Sequence, residues 1–493
     1  MIIPSLDDIK KYKGEYDFRS VPVKKEIFSD IRTPIEVLRI LKGQSNHVYM
    51  LESVEDQKQW GRYTFMGYDP KMCITCFDGN LKATDSSGNA TLEEKVDHPA
   101  EFIRKVVSDH RCMKMEGFPT FTGGLVGYFA YDYIKYSEPK LKLDAEDEEH
   151  FRDVDLMLFD RVICFDNLRQ KIEVIAQVDL ENVDESYEKA ISDIDNIIAL
   201  IKEGKGADIR PGVLKSDFRA LFDKDQYCEM VRKAKKYIYE GDIFQVVLSN
   251  RLEADFEGSL FDTYRLLRTI NPSPYMFYFS GDDIEVAGAS PETLVKCEDG
   301  VLHTFPLAGT RPRGKDYEED QRLEKELLAD EKELAEHNML VDLGRNDIGK
   351  ISKFGSVEVE KYMSVEKYSH VMHIGSTVRG IIKEDKNVLD AVDAILPAGT
   401  LSGAPKFRAC EIINELENNK RGIYGGAIGY IDFTGNLDTC IAIRIAFKKN
   451  GKVFVRSGAG IVADSVPENE YTESINKAKA VLSAISAQQE MEE

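Results

Sequence analysis

Apolar residues recur along this chain with two different periods. From Tyr227 to Ile238 they recur at helical spacing, and Gly241 suits the end of that helix. Residues 243–248 then form a continuous apolar run, which is typical of a buried strand. The same criteria predict helices over 187–201, 323–340, 388–396 and 470–485, and strands over 121–131, 162–165, 286–289, 301–307 and 453–456. Helices and strands alternate irregularly, which favours a mixed α+β fold over a regular βαβ winding.

A stretch rich in glycine and charge, residues 201–212, interrupts this pattern and predicts a linker. We therefore divide the chain into an N-terminal region (residues 1–205), a linker (206–222) and a second domain (223–490). The length of 493 residues agrees with this division, because a chain of that size usually forms about two to four domains.

Composition and charge narrow the class of protein. The net charge of -22 argues against nucleic-acid and anionic-membrane partners, because no broad basic face is available to them. No apolar stretch reaches the length of a membrane span, and the first residues lack the features of a secretory signal. Eight cysteines are scattered along the chain, as in proteins of a reducing compartment. We therefore expect a cytoplasmic globular protein.

Two predicted helical segments place carboxylates three residues apart. Glu333 and Glu336 form one pair, and Glu470 and Glu473 form the other. Residues at this spacing share one helix face, so each pair can present oxygens to a hard cation such as Mg²⁺. A solvated charged face gives the same pattern. Lys477 lies one turn beyond Glu473, which adds a cation to the second pair.

Three single residues also have two interpretations. Arg444 lies in an apolar run predicted as a strand, so it needs an anionic partner, either an internal acid or a substrate carboxylate. His373 alternates with apolar residues, as a hydrogen-bonded core histidine also does. Glu292 follows a predicted strand, where acids often cap turns.

The glycine-rich stretch 456–460, predicted to follow a strand, offers bare backbone N–H groups to a carboxylate.

The most specific segment, residues 305–314, reads FPLAGTRPRG. Alone it also fits a strand ending in a Gly-Thr turn. Further ordered segments read GDIFQVVLS (241–249), VDLGRND (341–347), LPAGTLSGAPK (396–406) and RGIYGG (421–426), followed by the stretch 458–477. Together they resemble the chorismate-utilising enzymes, and among these component I of anthranilate synthase, over nearly the whole chain.

This resemblance implies a four-layer α/β/β/α core with two large packed β-sheets. It implies a lyase of tryptophan biosynthesis that converts chorismate and ammonia to anthranilate and pyruvate with Mg²⁺. The chain has no Gly-x-Cys-x-Gly nucleophile elbow. We therefore expect glutamine-dependent activity to require a separate glutamine amidotransferase subunit.

The resemblance also implies roles for individual residues. Glu292 would be the general acid that protonates the departing C4 hydroxyl, and His373 would assist the elimination of pyruvate. Thr310 and Thr400 would line the site together with Ala308 and Gly309. The four glutamates named above would form the Mg²⁺ region. The ring carboxylate would be held by Gly458, Ala459, Gly460 and Lys477, and the enolpyruvyl carboxylate by Tyr424 and Arg444.

Two positions distinguish subgroups of the family. Relatives that form aminodeoxychorismate usually carry a lysine at the position of Ala308, and that lysine can attack the ring. Relatives that form isochorismate or salicylate carry a lysine at the position of Gln245 to activate water. The alanine cannot attack the ring, and the neutral amide cannot activate water. Both residues therefore favour ammonia as the nucleophile.

Two further segments resemble the family's tryptophan feedback site. Leu51, Glu52 and Ser53 belong to the first, where Met50 replaces a common leucine, and residues 271–277 form the second, with Pro274, Tyr275 and Met276. An ordinary strand edge and a proline-rich turn would look the same. The alternatives at this point are aminodeoxychorismate synthase component I and a catalytically silent, tryptophan-binding regulatory subunit.

Overall fold

The computed structural model describes residues 2–12, 17–53, 61–367 and 371–488. These residues form the strands β1 (Ser20–Phe28), β2 (Val48–Glu52), β3 (Tyr63–Tyr68), β4 (Met72–Phe77), β5 (Asn80–Asp85), β6 (Ala90–Lys95), β7 (Gly124–Phe129), β8 (Val154–Phe159), β9 (Arg161–Asp166), β10 (Lys171–Asp179), β11 (Val213–Leu214), β12 (Arg219–Ala220), β13 (Gln245–Glu257), β14 (Tyr275–Ser280), β15 (Glu285–Ser290), β16 (Thr293–Glu298), β17 (Val301–Thr304), β18 (Leu307–Pro312), β19 (Glu358–Lys367), β20 (Val371–Ile381), β21 (Gly403–Ala404), β22 (Ala427–Asp432), β23 (Leu437–Ile441), β24 (Ile445–Lys449) and β25 (Lys452–Ile461). The helices are α1 (Leu6–Tyr12), α2 (Pro34–Lys42), α3 (Ala100–Asp109), α4 (Ile134–Ser137), α5 (Val183–Glu203), α6 (Lys224–Glu240), α7 (Phe261–Ile270), α8 (Tyr317–Leu328), α9 (Glu331–Ile351), α10 (Val388–Ile395), α11 (Lys406–Glu417) and α12 (Pro467–Ala487).

The strands form two large sheets. Sheet one has 13 strands, and its main path runs β1-β10-β9-β3-β2-β14-β15-β24-β25-β13-β11. Sheet two has 12 strands, and its main path runs β18-β20-β17-β16-β23-β22-β7-β8-β4-β5-β6. Strands from before and after the predicted linker occur in both sheets, and β11 and β12 of the linker pair with β13. The division of the chain into domains stays a prediction.

An aromatic layer joins the inner faces of the two sheets. Tyr49 of sheet one packs on Phe159 of sheet two with ring centroids 4.6 Å apart, and Phe65 meets Tyr430 edge to face at 6.0 Å. The outer face of sheet one is covered by α2, α5, α7 and α12, and that of sheet two by α3, α9 and α10. The predicted α+β core with two large packed sheets is confirmed.

Several predicted elements differ at their ends. The helix predicted over 323–340 is two helices, α8 and α9, because Asp330 interrupts it and caps α9 by accepting from the N–H groups of Lys332 and Glu333. The strand predicted over 301–307 ends at Thr304 and resumes at Leu307 as β18, with Pro306 between the two. The strand predicted over 121–131 shortens to β7.

Helices long and apolar enough to cross a bilayer do not occur in the described part of the chain.

Candidate active site

A cavity of about 580 Å³ opens between the two sheets and α9 and α12. This volume suits a small organic ligand. The lining contains the following residues singled out from the sequence: Gln245, Glu292, Ala308, Gly309, Thr310, Glu333, Glu336, His373, Thr400, Tyr424, Arg444, Gly458, Gly460, Glu470, Glu473 and Lys477. Ala459 does not line the cavity. Its side chain points to the opposite face of β25, where it packs with residues of α6 and α11.

Glu292 lies between β15 and β16, and its carboxylate faces the cavity. Thr400 donates its hydroxyl to Glu292 Oε1 at 3.0 Å. Burial raises the pKa of Glu292 to about 7, although Thr400, Lys477 and Arg444 each favour the ionised form. A carboxyl group with this pKa is available as a proton donor near neutral pH.

His373 projects from β20 opposite a β-bulge in β18. The bulge lies at Gly309, which adopts φ +66° and lets Ala308 pair with Ile374 while Thr310 pairs with His373. His373 Nδ1 lies 2.9 Å from the carbonyl oxygen of Gly309 and 3.1 Å from Thr310 Oγ1. A carbonyl only accepts, so Nδ1 carries the proton and Nε2 is the basic nitrogen. Burial lowers the pKa of His373, which favours the neutral ring.

Two helices bring the predicted carboxylate pairs into the same cavity. α9 carries Glu333 and Glu336, and α12 carries Glu470 and Glu473. Burial raises the pKa values of Glu336 and Glu470, and the neighbouring carboxylate on the same helix adds to each shift. Lys477 pairs with Glu473 at 2.7 Å. The part of the cavity that these four glutamates line, the carboxylate-rich end, therefore concentrates negative charge.

Gln245 is the first residue of β13 and is almost fully buried. Its Oε1 atom has no hydrogen-bond partner among the residues that the structure describes, although a buried amide oxygen usually finds one. A Cβ at Gly460 would lie only 2.7 Å from Gln245 Nε2, so glycine at 460 leaves room for this side chain. The unsatisfied oxygen can accept a hydrogen bond from a small donor in the cavity.

The glycine-rich stretch lies in a strand, and the prediction that it follows one is wrong. Gly458 and Gly460 belong to β25 and pair with Ser249 and Val247 of β13. On the other side of β25 the ladder with β24 ends at Val455. Among the described strands, the backbone of β25 beyond that point is engaged on one side only.

The sequence predicted that Arg444 lies inside a strand, and this prediction is wrong. It links β23 and β24 at φ +52°, and its carbonyl accepts from the N–H of Ala289. Its guanidinium faces the cavity and donates to Asn271 Oδ1 at 3.3 Å. Asn271 begins the second feedback-like segment, so Arg444 touches both that segment and the cavity.

Two buried residues at the base of the cavity complete its polar lining. Burial raises the pKa of Tyr424 to about 12, so its phenol stays protonated. Arg456 is 2% exposed, and the sequence analysis did not identify its side chain as part of the site. It ends the apolar run Val453–Val455, and that pattern, an arginine among apolar residues, is the signal that singled out Arg444.

The two feedback-like segments lie side by side. β2 pairs with β14, so Glu52 is opposite Met276 and Leu51 is opposite Phe277. Arg268 donates to both oxygens of the buried Glu52, and Tyr264 donates to it at 2.6 Å. Tyr275 contacts Thr293 and Asp438 through its hydroxyl. Ser53 follows β2 directly, and Pro274 precedes β14.

The sequence and the fold both resemble those of known proteins. The sequence matches the family described as chorismate binding enzyme over residues 49–483. It is 45% identical to anthranilate synthase component 1 of Acetivibrio thermocellus, covering 98% of this chain and 99% of that protein. The counterpart from Aquifex aeolicus is also 45% identical, with 99% of both chains covered. The crystal structure of anthranilate synthase component I from Streptococcus pneumoniae superimposes with a TM-score of 0.75 at 38% identity, covering 92% of this chain and 98% of that one.

Proposed function

Because this chain belongs to the chorismate binding enzyme family, we propose that it acts as component I of anthranilate synthase, a lyase that converts chorismate and ammonia to anthranilate and pyruvate. The observation that carries this choice is the pair Ala308 and Gln245 on the walls of one cavity. Neither side chain can attack the ring or activate water. The lining lysines, Lys332 and Lys477, lie on helices at the carboxylate-rich end.

In this proposal ammonia attacks C2 of the ring while Glu292 protonates the leaving C4 hydroxyl. Hydroxide is a poor leaving group, so a placed acid accelerates its loss. The unsatisfied Oε1 of Gln245 accepts an N–H of the incoming ammonia and orients it. Arg444, Tyr424 and Lys477 hold the substrate carboxylates, because charge-assisted hydrogen bonds position anions well. His373 Nε2 then removes the proton from C2 as the C3–O bond breaks and the ring becomes aromatic. The enolate that leaves takes up a proton to become pyruvate.

The donor set of the carboxylate-rich end fits Mg²⁺. Carboxylate oxygens are its preferred protein ligands, and the ion usually takes only one or two of them together with water and substrate. Its protein ligands would come from Glu333, Glu336, Glu470 and Glu473. When bound, it would neutralise the ring carboxylate.

Glu470→Gln is expected to raise the Mg²⁺ concentration for half-maximal rate by about tenfold, because the variant loses one anionic donor. Direct Mn²⁺ binding, followed by electron paramagnetic resonance, provides a readout without turnover. Glu468→Gln, on the exposed first turn of the same helix, is the matched control and should bind as the wild type does. Equal affinities in all three proteins would remove Glu470 from the metal region.

Glutamine-dependent turnover is proposed to require a separate glutamine amidotransferase subunit, with free ammonia replacing it in its absence. The eight free cysteines of the chain agree with a location in the reducing cytoplasm.

Feedback inhibition by tryptophan is proposed at the paired segments that contain Leu51–Ser53 and Pro274–Met276. Ser53→Phe is expected to raise the tryptophan concentration for half-inhibition by at least about tenfold, because the ring would occupy space beside Glu52, the residue opposite Met276, and cost about 1.4 kcal/mol of binding free energy or more. Inhibition curves measure this shift. Ser87→Phe, at an exposed turn, is the control. An unchanged curve for Ser53→Phe would place the inhibitor elsewhere.

The whole proposal is tested by incubating the purified chain with chorismate, Mg²⁺ and ammonium salt. Anthranilate fluorescence and pyruvate should appear together and fall as tryptophan is added. An aminated product without pyruvate would indicate aminodeoxychorismate synthesis. Tryptophan binding without any product would indicate a silent regulatory subunit.

A further inference from the structure

A single buried carboxylate, Glu417, lies directly behind the base of the cavity. It is 1% exposed and accepts five hydrogen bonds. Ser249 donates its N–H and its hydroxyl to Oε1, at 2.7 and 3.0 Å. Arg421 donates to both oxygens, and Arg456 donates to Oε2 at 2.8 Å. Burial by itself raises the pKa of Glu417, but the two guanidiniums leave that pKa below its usual value.

Arg421 connects this carboxylate to two neighbouring segments that line the cavity, and these segments also bond directly, because the N–H of Val247 donates to the carbonyl of Ser402 at 2.9 Å. Its Nη1 donates to the carbonyl of Leu401 at 2.6 Å, and its Nη2 donates to the carbonyl of Val247 at 2.7 Å. Leu401 follows Thr400, which holds Glu292, and Val247 lies two residues after Gln245 on β13. The planar guanidinium fixes both carbonyls at once because its donors have a rigid fork geometry.

The guanidinium of Arg456 extends the same network to a third segment that lines the cavity, β25. Arg456 donates to Ser249, to Asn419 and to the carbonyl of Lys420. It lies in β25, just before Gly458 and Gly460. Every nitrogen of Arg456 is therefore committed within the protein, although the side chain borders the cavity.

We infer that Glu417, acting through Arg421, is a positioning residue for the proposed reaction. Together with the backbone pairing of β13 and β21, it fixes the loop that carries Thr400 against the strand that carries Gln245, so the proton donor and the ammonia site face the same substrate. Glu417 itself touches neither substrate nor reacting atoms. This inference rests on the proposed function.

The test uses Glu417→Gln and Arg421→Lys in the full chain. Glu417→Gln keeps the shape but leaves two buried arginines without a counter-charge. Arg421→Lys keeps the charge, and its single ammonium cannot reproduce the fork that contacts Glu417 and both carbonyls. Each variant is expected to lower kcat with ammonia by at least about tenfold, with a smaller change in KM for chorismate, because misplacement of catalytic groups weakens transition-state binding first. Should Glu417→Gln fail to fold, Arg421→Lys carries the test.

Two comparisons separate positioning from loss of stability. Glu173→Gln breaks another buried pair, with Lys24, on β10 far along sheet one. It should lower the thermal midpoint and leave kcat unchanged. Thr400→Val removes the hydrogen bond to Glu292, and adding Arg421→Lys to it should lower kcat by less than Arg421→Lys does in the wild type, because both act through Thr400. The inference would be overturned if Thr400→Val and Arg421→Lys had fully additive effects on the activation free energy. It would also be overturned if Glu173→Gln lowered kcat as much as Arg421→Lys does.

A crystal structure of Arg421→Lys gives a readout that does not depend on activity. The distance from Thr400 Oγ1 to Glu292 Oε1, 3.0 Å here, should lengthen beyond hydrogen-bonding range. An unchanged distance would overturn the inference even in an active enzyme. If the wild type makes no anthranilate while this distance opens in the variant, the proposed function fails and the positioning role stands.

Discussion

Glu292→Gln is expected to lower kcat for anthranilate formation by about 10²- to 10⁴-fold, which corresponds to about 3–5 kcal/mol of activation free energy. The amide keeps the shape and can still bond to Thr400, so the fold should be preserved. It cannot release a proton to the C4 hydroxyl. Steady-state anthranilate fluorescence measures the loss, and circular dichroism checks the fold. Glu298→Gln, at the far end of β16, is the matched control and should retain full activity.

The pH dependence of the same reaction follows from the raised pKa of Glu292. The acid must be protonated in the free enzyme, and with a pKa of about 7 its protonated fraction falls as the pH rises through 7. The kcat/KM of the wild type should therefore decline above about pH 7, and this decline should be missing from the residual activity of Glu292→Gln. Near-normal turnover in the variant, or an unchanged alkaline limb, would contradict the role of Glu292 as general acid.

His373→Ala is expected to slow pyruvate elimination by about 10²-fold while amination continues. The structure gives the reason, because Nδ1–H is held by the carbonyl of Gly309 and the neutral ring presents Nε2 as a base. Rapid-quench chromatography should detect an aminated intermediate that still carries the enolpyruvyl group. Its build-up should precede pyruvate release.

The control for this prediction is His303→Ala, on the neighbouring strand β17. His303 lies near Glu360 and outside the cavity, so its loss should affect neither step. If His373→Ala is slow and no intermediate accumulates, amination itself has become slow, and His373 does not serve the elimination.

Local features of the site were predictable from the sequence. The spacing of Glu333 and Glu336, and of Glu470 and Glu473, placed each pair on one face of a helix, because helical periodicity is set within a few residues. The motif segments also indicated the family from the sequence alone. Their residues and their order along the chain can be read without knowing any tertiary contact. Helical spacing alone does not show that α9 and α12 meet at the same cavity, and only the family resemblance implied it.

Arg444 and Glu417 show where prediction from the sequence stops. The apolar residues around Arg444 predicted a continuous strand, but contacts between distant segments hold it at a positive φ between β23 and β24. Glu417 ends α11 in the polar run NELENNK and resembles an exposed helix end. It is buried because α11 packs against β13, and because Arg421 and Arg456 arrive from the segments that follow.

The sequence by itself thus determined the family, the α+β class, the helices that carry the carboxylates and most of the residues that line the cavity. The tertiary structure alone decided which side chains are buried, which nitrogen of His373 is basic, and that the pKa of Glu292 rises to about 7. The physical reason is the range of the forces involved. Periodicity and turn preference act between near neighbours in the chain, whereas desolvation and charge pairing depend on every segment that folding brings together.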